Sequence, residues 1–151
     1  MEWFKTRVTD TRQEIFDPLR RQYVALTPEE EVRQTILQQM VEHWHYPPGL
    51  IAVEYSFRLH KLRKRSDIVV FSKSGKPVML IECKARHQQI TSKVLDQAIR
   101  YNLALQVRYL VLSNADTTKN IKINPSTNQA EFLRHFPTYD EICRESNNSE
   151  N

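Results

Sequence analysis

Three charged side chains at the ends of two apolar runs could do chemistry together: Asp67, Glu82 and Lys84. Glu82 and Lys84 follow the apolar residues 78–81, a run that comes after a turn with Gly and Pro and is typical of a buried strand. Because side chains alternate along a strand, Glu82 and Lys84 share one face while Cys83 points to the other. A carboxylate and an ammonium group at the end of a core strand cost desolvation free energy, so this position favours a binding site.

Asp67 opens a second apolar run, residues 68–71, which is expected to pair with the first run as an antiparallel hairpin. In that pairing, Asp67 and Glu82 lie near the same edge of the sheet. Two carboxylates with a lysine nearby suit a hard cation such as Mg²⁺, with water or phosphate completing its coordination. These residues therefore predict a site for metal-assisted hydrolysis of a phosphodiester bond.

The composition is that of an ordinary globular protein. The 151 residues are 40% apolar and 26% charged, which predicts one domain over residues 1–145 and a polar, disordered tail at 146–151. No apolar run approaches the roughly 18 residues of a membrane span, and the first residues do not resemble a secretory signal. The two cysteines, Cys83 and Cys143, lack zinc-ligand spacing, so we expect a reduced, cytoplasmic protein with no membrane partner.

A cluster of cations comes immediately before Asp67. The net charge is +4, and four positive residues fall within five positions: Lys61, Arg63, Lys64 and Arg65. Beside a metal site, such a cluster favours contact with the phosphates of a nucleic acid. The alternative is a solvated connection whose charges keep a sheet edge from pairing with another chain.

A first helix is predicted from Thr27 to about residue 45. Thr27, the proline after it and Glu30 form a capping box, and apolar residues then recur every four positions. Glu30 and Arg33 fall on or beside the apolar face, so they either pair with each other or point into a polar cleft. A third possibility is that the stem of Arg33 packs while its guanidinium reaches solvent.

The remaining patterns predict an α/β fold with a mixed central sheet flanked by helices. An antiparallel meander of three strands, a helix and a parallel strand follow the first helix: residues 51–59, 67–71, 78–84, 91–105 and 108–113. A hairpin within residues 122–133 and a short helix from residue 138 complete the order. Gln97 and Tyr101 lie one turn apart on the second helix, where they could face the site.

This order of elements resembles the PD-(D/E)XK nuclease superfamily, whose members share a restriction-endonuclease-like core and the pattern D-x(n)-E-x-K. Here Asp67 is followed, after fourteen residues, by Glu82, Cys83 and Lys84. The sequence departs from the pattern at Ser66, where the name-giving motif has Pro, a position that varies. The resemblance implies a metal-dependent nuclease.

Two further elements narrow the resemblance. Glu30 matches an extra acidic residue on the first helix, and Gln97 with Tyr101 match a Q-x-x-x-Y element on the second. Residues 15–140 look like a stand-alone version of the N-terminal nuclease domain of the type I restriction enzyme R subunit (HsdR). In this resemblance, we expect the nuclease domain without the helicase motor that full-length R subunits carry.

The resemblance implies a role for each residue of the site. Asp67 and Glu82 would bind the metal, with the main-chain oxygen of Cys83 as a third ligand. Lys84 would orient or deprotonate the attacking water, or stabilise charge on the scissile phosphate. Glu30 would hold a further water or a second metal.

The resemblance also extends to residues around that centre. Gln97 would hydrogen-bond the phosphate or the water, and Arg33 and Tyr101 would contact nucleic acid together with the basic cluster, although Tyr101 could equally serve only in packing. His60 and His87 flank the strands and could act as bases. Because Lys84 is present, we interpret both histidines as exposed loop residues.

The chain is thus predicted to be a DNA endonuclease that uses Mg²⁺ or Mn²⁺. One alternative is a DNA-binding or assembly subunit with this fold that is inactive without a partner, and a second is a nuclease for RNA or branched DNA. DNA is the expected partner, and a homodimer and a motor or specificity subunit are left open.

Overall fold

The computed structural model of the chain describes residues 1–59 and 61–149, and the side chains of residues 1–58 and 61–144. In this part of the chain, strands form two sheets. The small antiparallel sheet contains β1 (Thr6–Val8), β2 (Gln13–Asp17) and β3 (Gln22–Ala25). The central sheet contains β4 (Ile51–Leu59), β5 (Leu62–Phe71), β6 (Pro77–Cys83), β7 (Tyr109–Ser113), β8 (Thr118–Ile123) and β9 (Ala130–Leu133).

The helices are α1 (Pro28–Glu42), α2 (Ser92–Leu105) and α3 (Tyr139–Ser149), with a short 3-10 turn at Pro48–Leu50. Thr27 caps α1, because its side chain accepts a hydrogen bond from the amide of Glu30 at 3.1 Å. The carboxylate of Glu30 does not return the bond, since it is engaged by arginines, so only half of the predicted capping box forms. Thr91 caps α2 in the same way, with the amide of Val94 at 3.3 Å.

The central sheet is mixed, as predicted. Its strands lie in the order β4-β5-β6-β7-β8-β9, and every neighbouring pair is antiparallel except β6 and β7. The parallel pair needs a crossover, and α2 supplies it. The predicted meander, the parallel strand after the second helix and the terminal hairpin are therefore confirmed.

Each face of the central sheet buries its own apolar cluster. On one face, side chains of α1 and α3 pack against alternate residues of β5 and β6: Val32, Leu37, Met40, Ile142, Ile68, Val70, Met79 and Ile81. On the other face, α2 covers the intervening residues and their neighbours on β7 and β8: Leu105, Val69, Leu80, Leu110, Leu112 and Ile121. Because both faces of the middle strands are covered, these strands read as continuous apolar runs.

Most of the basic cluster (Arg63, Lys64 and Arg65) lies on a strand, and Asp67 lies inside that strand rather than at its start. β5 begins at Leu62 and pairs with β4 from Leu62 to Val70 with one gap at Asp67, but it pairs with β6 only from Ile68 onward. Residues 55–59 and 61–65 therefore form a two-stranded arm beyond the main sheet, here called the basic ribbon. Side-chain exposure alternates along residues 62–65, as expected of a strand. Because most of these residues are charged, the sequence has no apolar run here that would predict a strand.

The C-terminal helix is longer than expected. α3 continues to Ser149, so it includes residues 146–149, which the sequence had assigned to a disordered tail. Residues 150–151, and His60 with its predicted loop position, lie outside the described residues. The extent of the domain stays a prediction. No helix in the described residues is long and apolar enough to cross a membrane.

Candidate nuclease site

Asp67 and Glu82 lie side by side on neighbouring strands. The paired register of β5 and β6 ends with Ile68 opposite Ile81, and Asp67 and Glu82 are the next residue on each strand. The main-chain amide of Cys83 donates to the carboxylate of Asp67, so Asp67 lies beside the end of β6 that carries Glu82. The two side chains are 29% and 22% exposed, so solvent reaches both at the edge of an otherwise buried region.

Both carboxylate oxygens of Asp67 are held. The guanidinium of Arg33 donates to Oδ1 at 2.8 Å, and the main-chain amide of Cys83 donates to Oδ2 at 2.8 Å. A carboxylate oxygen has two lone pairs, so each still has room for a second interaction. The two bonds therefore orient Asp67 without saturating it.

Lys64 is the cation that pairs with Glu82. The ammonium group of Lys64 also lies 4.7 Å from the ring centroid of Tyr101, and the hydroxyl of Tyr101 donates to the main-chain oxygen of Arg63 at 3.0 Å. The site thus includes Lys64, which the sequence had assigned to nucleic-acid contact. Tyr101 fixes the ribbon beside Glu82.

Lys84 comes directly after β6 and is half-buried. Its main-chain amide donates to the oxygen of Ser113 at 2.8 Å, which anchors this residue to the end of β7. Within the described part of the chain, its ammonium group has no ion-pair partner. Lys84 is therefore the cation of this site that no carboxylate among the described side chains neutralises.

A network of buried charges lies behind Asp67. Glu30 is 5% exposed and Arg33 is 6% exposed, and they pair at 2.8 Å, which settles the sequence alternatives in favour of mutual pairing. The same oxygen of Glu30 accepts a bond from Arg20 at 2.6 Å. Arg33 thus joins Glu30 to Asp67, and its burial makes it part of the site's interior rather than the DNA-facing residue that was expected.

Glu54 approaches this network from β4. Its φ of 51° is unusual for a residue other than glycine, and the regular pairing of β4 with β5 skips it, passing from Val53 with Ile68 to Tyr55 with Ser66. The carboxylate of Glu54 lies 3.4 Å from both Arg20 and Arg33. The break in the ladder therefore directs an acidic side chain toward the arginines.

Burial and ion pairing act against each other on the arginines. Burial lowers the pKa of Arg33, but the hydrogen bond to Asp67 and the charges of Glu30, Asp67 and Glu54 outweigh it, so the pKa is raised. The pKa of Arg20 is raised for the same reason, through Glu30 and Asp17. Both guanidiniums stay charged and serve as fixed donors.

Cys83 contributes its main chain to the site and its side chain to the core. The thiol is 5% exposed among apolar residues, and burial raises its pKa well above the usual range, with the charge of Asp67 as a further cause. A neutral buried thiol is a poor nucleophile and a poor metal ligand. The expectation that only the main chain of Cys83 serves the site agrees with this placement.

The other predicted residues lie further out. Gln97 is exposed on α2, and its amide has no hydrogen-bond partner in the described part of the chain. His87 is exposed in the loop after β6, as interpreted from the sequence. Lys61, Arg63 and Arg65 are exposed on the basic ribbon, and Arg65 reaches Glu54 at 3.6 Å.

Arg58 and Arg63 stand directly opposite each other on the basic ribbon. Like charges at opposite positions destabilise a strand pair. Both side chains are exposed, and neither has an acidic partner in the described residues. The ribbon therefore carries an uncompensated positive charge that an anion would relieve.

The buried network beside Asp67 carries a small net negative charge. Four carboxylates and two guanidiniums meet in the network, which leaves two negative charges, one of them offset by the 71% exposed Arg65: Asp17, Glu30, Glu54 and Asp67 with Arg20 and Arg33. Within the described residues, no group of three His, Cys, Asp or Glu side chains is placed to hold an ion. Any metal would therefore need main-chain oxygen or water beside Asp67 and Glu82.

Sequence reasoning missed Asp17, Arg20 and Glu54. Arg20 follows an Asp-Pro turn, a pattern that predicts a tight turn but not where the arginine points. Glu54 sits at a polar position of an alternating strand, which indicates solvent exposure. Neither pattern carries a signal for an ion pair with residues that are distant in the chain.

Comparison with known proteins places the fold. A model of the type I restriction enzyme R protein N terminus (HSDR_N) matches residues 28–137. The structure is similar to a fragment described as an HsdR subunit of a type I restriction enzyme from Vibrio vulnificus YJ016, at 20% identity and a TM-score of 0.58. That match covers 83% of this chain and 26% of the other, so this chain spans about a quarter of the length of that fragment.

A second solved structure supports the same fold. It is a protein described as a nuclease of family DUF820 from Anabaena variabilis ATCC 29413, with 12% identity and a TM-score of 0.50. The match covers 82% of this chain and 80% of that one. No curated protein matches the sequence. The fold is restriction-endonuclease-like, and the chain belongs to the family of type I restriction enzyme R protein N termini.

Proposed function

We propose that this chain is a metal-dependent endonuclease that hydrolyses phosphodiester bonds in DNA. The observation that carries the proposal is that Asp67 and Glu82 both lie just beyond the last pair of β5 and β6, Ile68 with Ile81, with Lys84 two residues beyond Glu82. Two oxygen donors and an unpaired ammonium group at one sheet edge are what metal-assisted hydrolysis of a phosphodiester requires. Family membership supports a nuclease-like domain.

Asp67 and Glu82, with the main-chain oxygen of Cys83, would hold Mg²⁺ or Mn²⁺. When bound, such an ion supplies Lewis-acid stabilisation of the charge on a phosphate. Arg33 and the amide of Cys83 keep Asp67 oriented for that purpose. Glu30 would act indirectly, because it contacts Arg33, and Arg33 in turn contacts Asp67.

Lys84 is the residue proposed to act on the reacting atoms. Because no acidic side chain in the described residues neutralises it, its ammonium group is available to hold the attacking water or to donate to the scissile phosphate. Gln97, exposed on α2, is available to donate a hydrogen bond to the same phosphate. Glu82 keeps its partner Lys64 when Lys84 is changed, so the role of Lys84 can be tested by itself.

The basic ribbon is proposed to bind the DNA backbone. Its exposed cations are Arg63 and Arg65 on the strand that also carries Asp67, Arg58 across the ribbon and Lys61 in the turn between the two strands. Contacts to phosphates position a protein on DNA without reading its sequence. The ribbon would therefore place the backbone at the site with little base preference.

A second candidate is a DNA-binding or assembly subunit of this fold that does not cleave alone. It is favoured by the cations already placed on both carboxylates, Arg33 on Asp67 and Lys64 on Glu82, because a metal would have to compete with them. A motor or specificity subunit, or a second copy of the chain, would then be the activating partner.

A cleavage assay distinguishes the two candidates. Purified protein is incubated with supercoiled, linear, single-stranded and branched DNA and with RNA, in Mg²⁺, Mn²⁺ or EDTA. We expect nicking of supercoiled DNA with either metal and none in EDTA. Lys84→Ala should lose about 10²–10³-fold in rate while its melting temperature and DNA affinity stay unchanged.

Lys73→Ala is the matched control, since Lys73 is an exposed lysine in the turn at the other end of β5, and it should cleave like the wild type. Preferred cleavage of RNA or of a branched substrate would assign the activity to that polymer instead. A folded wild-type protein that binds DNA and leaves every substrate intact in both metals would favour the binding subunit.

A further inference from the structure

We infer that Arg20, from the turn between β2 and β3, is a positioning residue of the candidate metal site. The inference rests on the proposed function, because it concerns how firmly Asp67 is held as a metal ligand. The small sheet that carries Arg20 precedes residues 28–137, which the family model matches. A segment outside that match therefore supplies part of the support for the site.

The turn itself is built around Asp17. This residue is fully buried, and its Oδ1 accepts bonds from the main-chain amides of Leu19 at 2.8 Å and Arg20 at 3.1 Å. Its Oδ2 accepts a bond from Nε of Arg20 at 2.5 Å. One carboxylate thus fixes both the backbone of the turn and the direction of the guanidinium.

The guanidinium of Arg20 then reaches across to α1. Nη2 donates to Oε1 of Glu30 at 2.6 Å, and Nη1 donates to Glu54 at 3.4 Å. Arg20 is 14% exposed at the side chain and Glu30 is 6% exposed, so water does little to screen this pair. The planar fork of an arginine can satisfy Asp17 and Glu30 at once, and a lysine cannot.

Glu30 connects Arg20 to the candidate metal site through Arg33. Its Oε1 is shared between Arg20 and Arg33, and Gln34 donates to its Oε2 at 3.3 Å. Arg33 uses its other amino group on Asp67 at 2.8 Å. A continuous chain of charged hydrogen bonds therefore runs from the buried Asp17 to the proposed ligand Asp67.

The outer partners of metal ligands decide how well those ligands are oriented, and changing such a partner typically costs about 10–100-fold in metal affinity or activity. Arg20 acts through Glu30 and Arg33, so we expect the lower end of that range. Removing its charge would also make the site more negative and so attract a cation. A charge-conserving change is therefore the clean test of position.

The test is binding of Mn²⁺ to the full chain without DNA, measured by calorimetry. Arg20→Lys keeps the charge but loses the fork, and it should weaken Mn²⁺ binding by about tenfold. Arg33→Lys, one step nearer to Asp67, should weaken binding at least as much. Arg21→Lys is the matched control, since Arg21 is the exposed neighbour in the same turn, and it should bind like the wild type.

Circular dichroism shows whether each variant is folded at the temperature of the titration. If Arg20→Lys is unfolded, Asp17→Glu is used instead, because it keeps the negative charge but moves the carboxylate that holds Arg20; weaker Mn²⁺ binding is again expected. Equal affinities of the wild type and the folded variant would overturn this inference and leave the proposed function standing. A wild type that binds no Mn²⁺ or Mg²⁺ would overturn both.

Discussion

Asp67 and Glu82 each carry a cationic partner, and the two partners differ in how firmly they are held. Arg33 is 7% exposed at its side chain and is fixed by Glu30 as well as by Asp67. Lys64 is 15% exposed, and Glu82 is its one anionic partner in the described residues. A lysine on a flexible stem can leave a carboxylate more easily than a buried arginine.

Lys64 should therefore compete with a metal for Glu82. Removing it in Lys64→Met is expected to tighten Mn²⁺ binding in the absence of DNA by up to about fivefold, since an ion pair that water still reaches contributes on the order of 0–1 kcal/mol. Calorimetric titration measures this change. Lys61→Met, on the turn of the same ribbon, is the control and should have no effect; weaker binding by Lys64→Met would show that Lys64 supports the site instead.

At the level of elements, the β4–β5 hairpin combines a sheet strand with an arm. Its inner part pairs with β6 and carries Asp67, and its outer part pairs only with itself and carries the exposed cations. The interruption at Glu54 lies between the two parts, where the regular ladder skips one pair. The hairpin therefore connects DNA contact and metal binding within one continuous pair of strands.

Neutralising Arg58 and Arg63, which stand opposite each other on the basic ribbon, should have opposite effects on DNA affinity and on the stability of the fold. The double change Arg58→Gln with Arg63→Gln should weaken binding to all DNA sequences alike and reduce the slope of log affinity against log salt by about 1.8, or about 0.9 for each lost phosphate contact. The fold should become slightly more stable, by about 0.2–1 kcal/mol, because a like-charge pair is removed.

Binding curves at several salt concentrations and a denaturant melt measure the two effects of that change. The double change Lys73→Gln with Lys76→Gln removes two exposed cations from the turn at the far end of β5 and should leave the slope as it is in the wild type. If the salt dependence of DNA affinity is unchanged in the arginine variant, the ribbon does not contact phosphates, and its charges serve only to keep a solvated sheet edge from pairing.

At the scale of the whole molecule, the site joins parts that are distant in the chain. The small N-terminal sheet supplies Arg20, α1 supplies Glu30 and Arg33, and the meander supplies Asp67 and Glu82. These contacts exist only in the folded state. A metal held there should therefore stabilise the whole fold against unfolding.

Mg²⁺ or Mn²⁺ at a hundredfold excess over its dissociation constant should raise the free energy of unfolding by about 2.7 kcal/mol. Asp67→Asn and Glu82→Gln should abolish the gain, because each removes a ligand charge while keeping the size of the side chain. Thermal melts with metal and with EDTA measure it, and Asp10→Asn, an exposed acid near the N-terminus, should retain the gain. Equal shifts in the wild type and in Asp67→Asn would exclude this site.

The sequence by itself determined the order of elements and the positions of the two carboxylates. Apolar runs and caps are local signals, so the helix after Thr27, the meander and the parallel crossover follow from them. The pairing of runs across one short turn is nearly local as well, and it brings Asp67 and Glu82 to one sheet edge. The resemblance to the nuclease family rested on these same spacings, and the family match bears it out.

Only the tertiary structure decided which cation serves which carboxylate. Lys84 is two residues from Glu82, yet Lys64 pairs with Glu82, and Arg33 is buried on Asp67 instead of facing DNA. Arg20 reaches the site from a sheet whose position no local pattern reveals. The physical reason is that long charged side chains choose partners by distance and desolvation in the folded state, and neither quantity can be read from spacing along the chain.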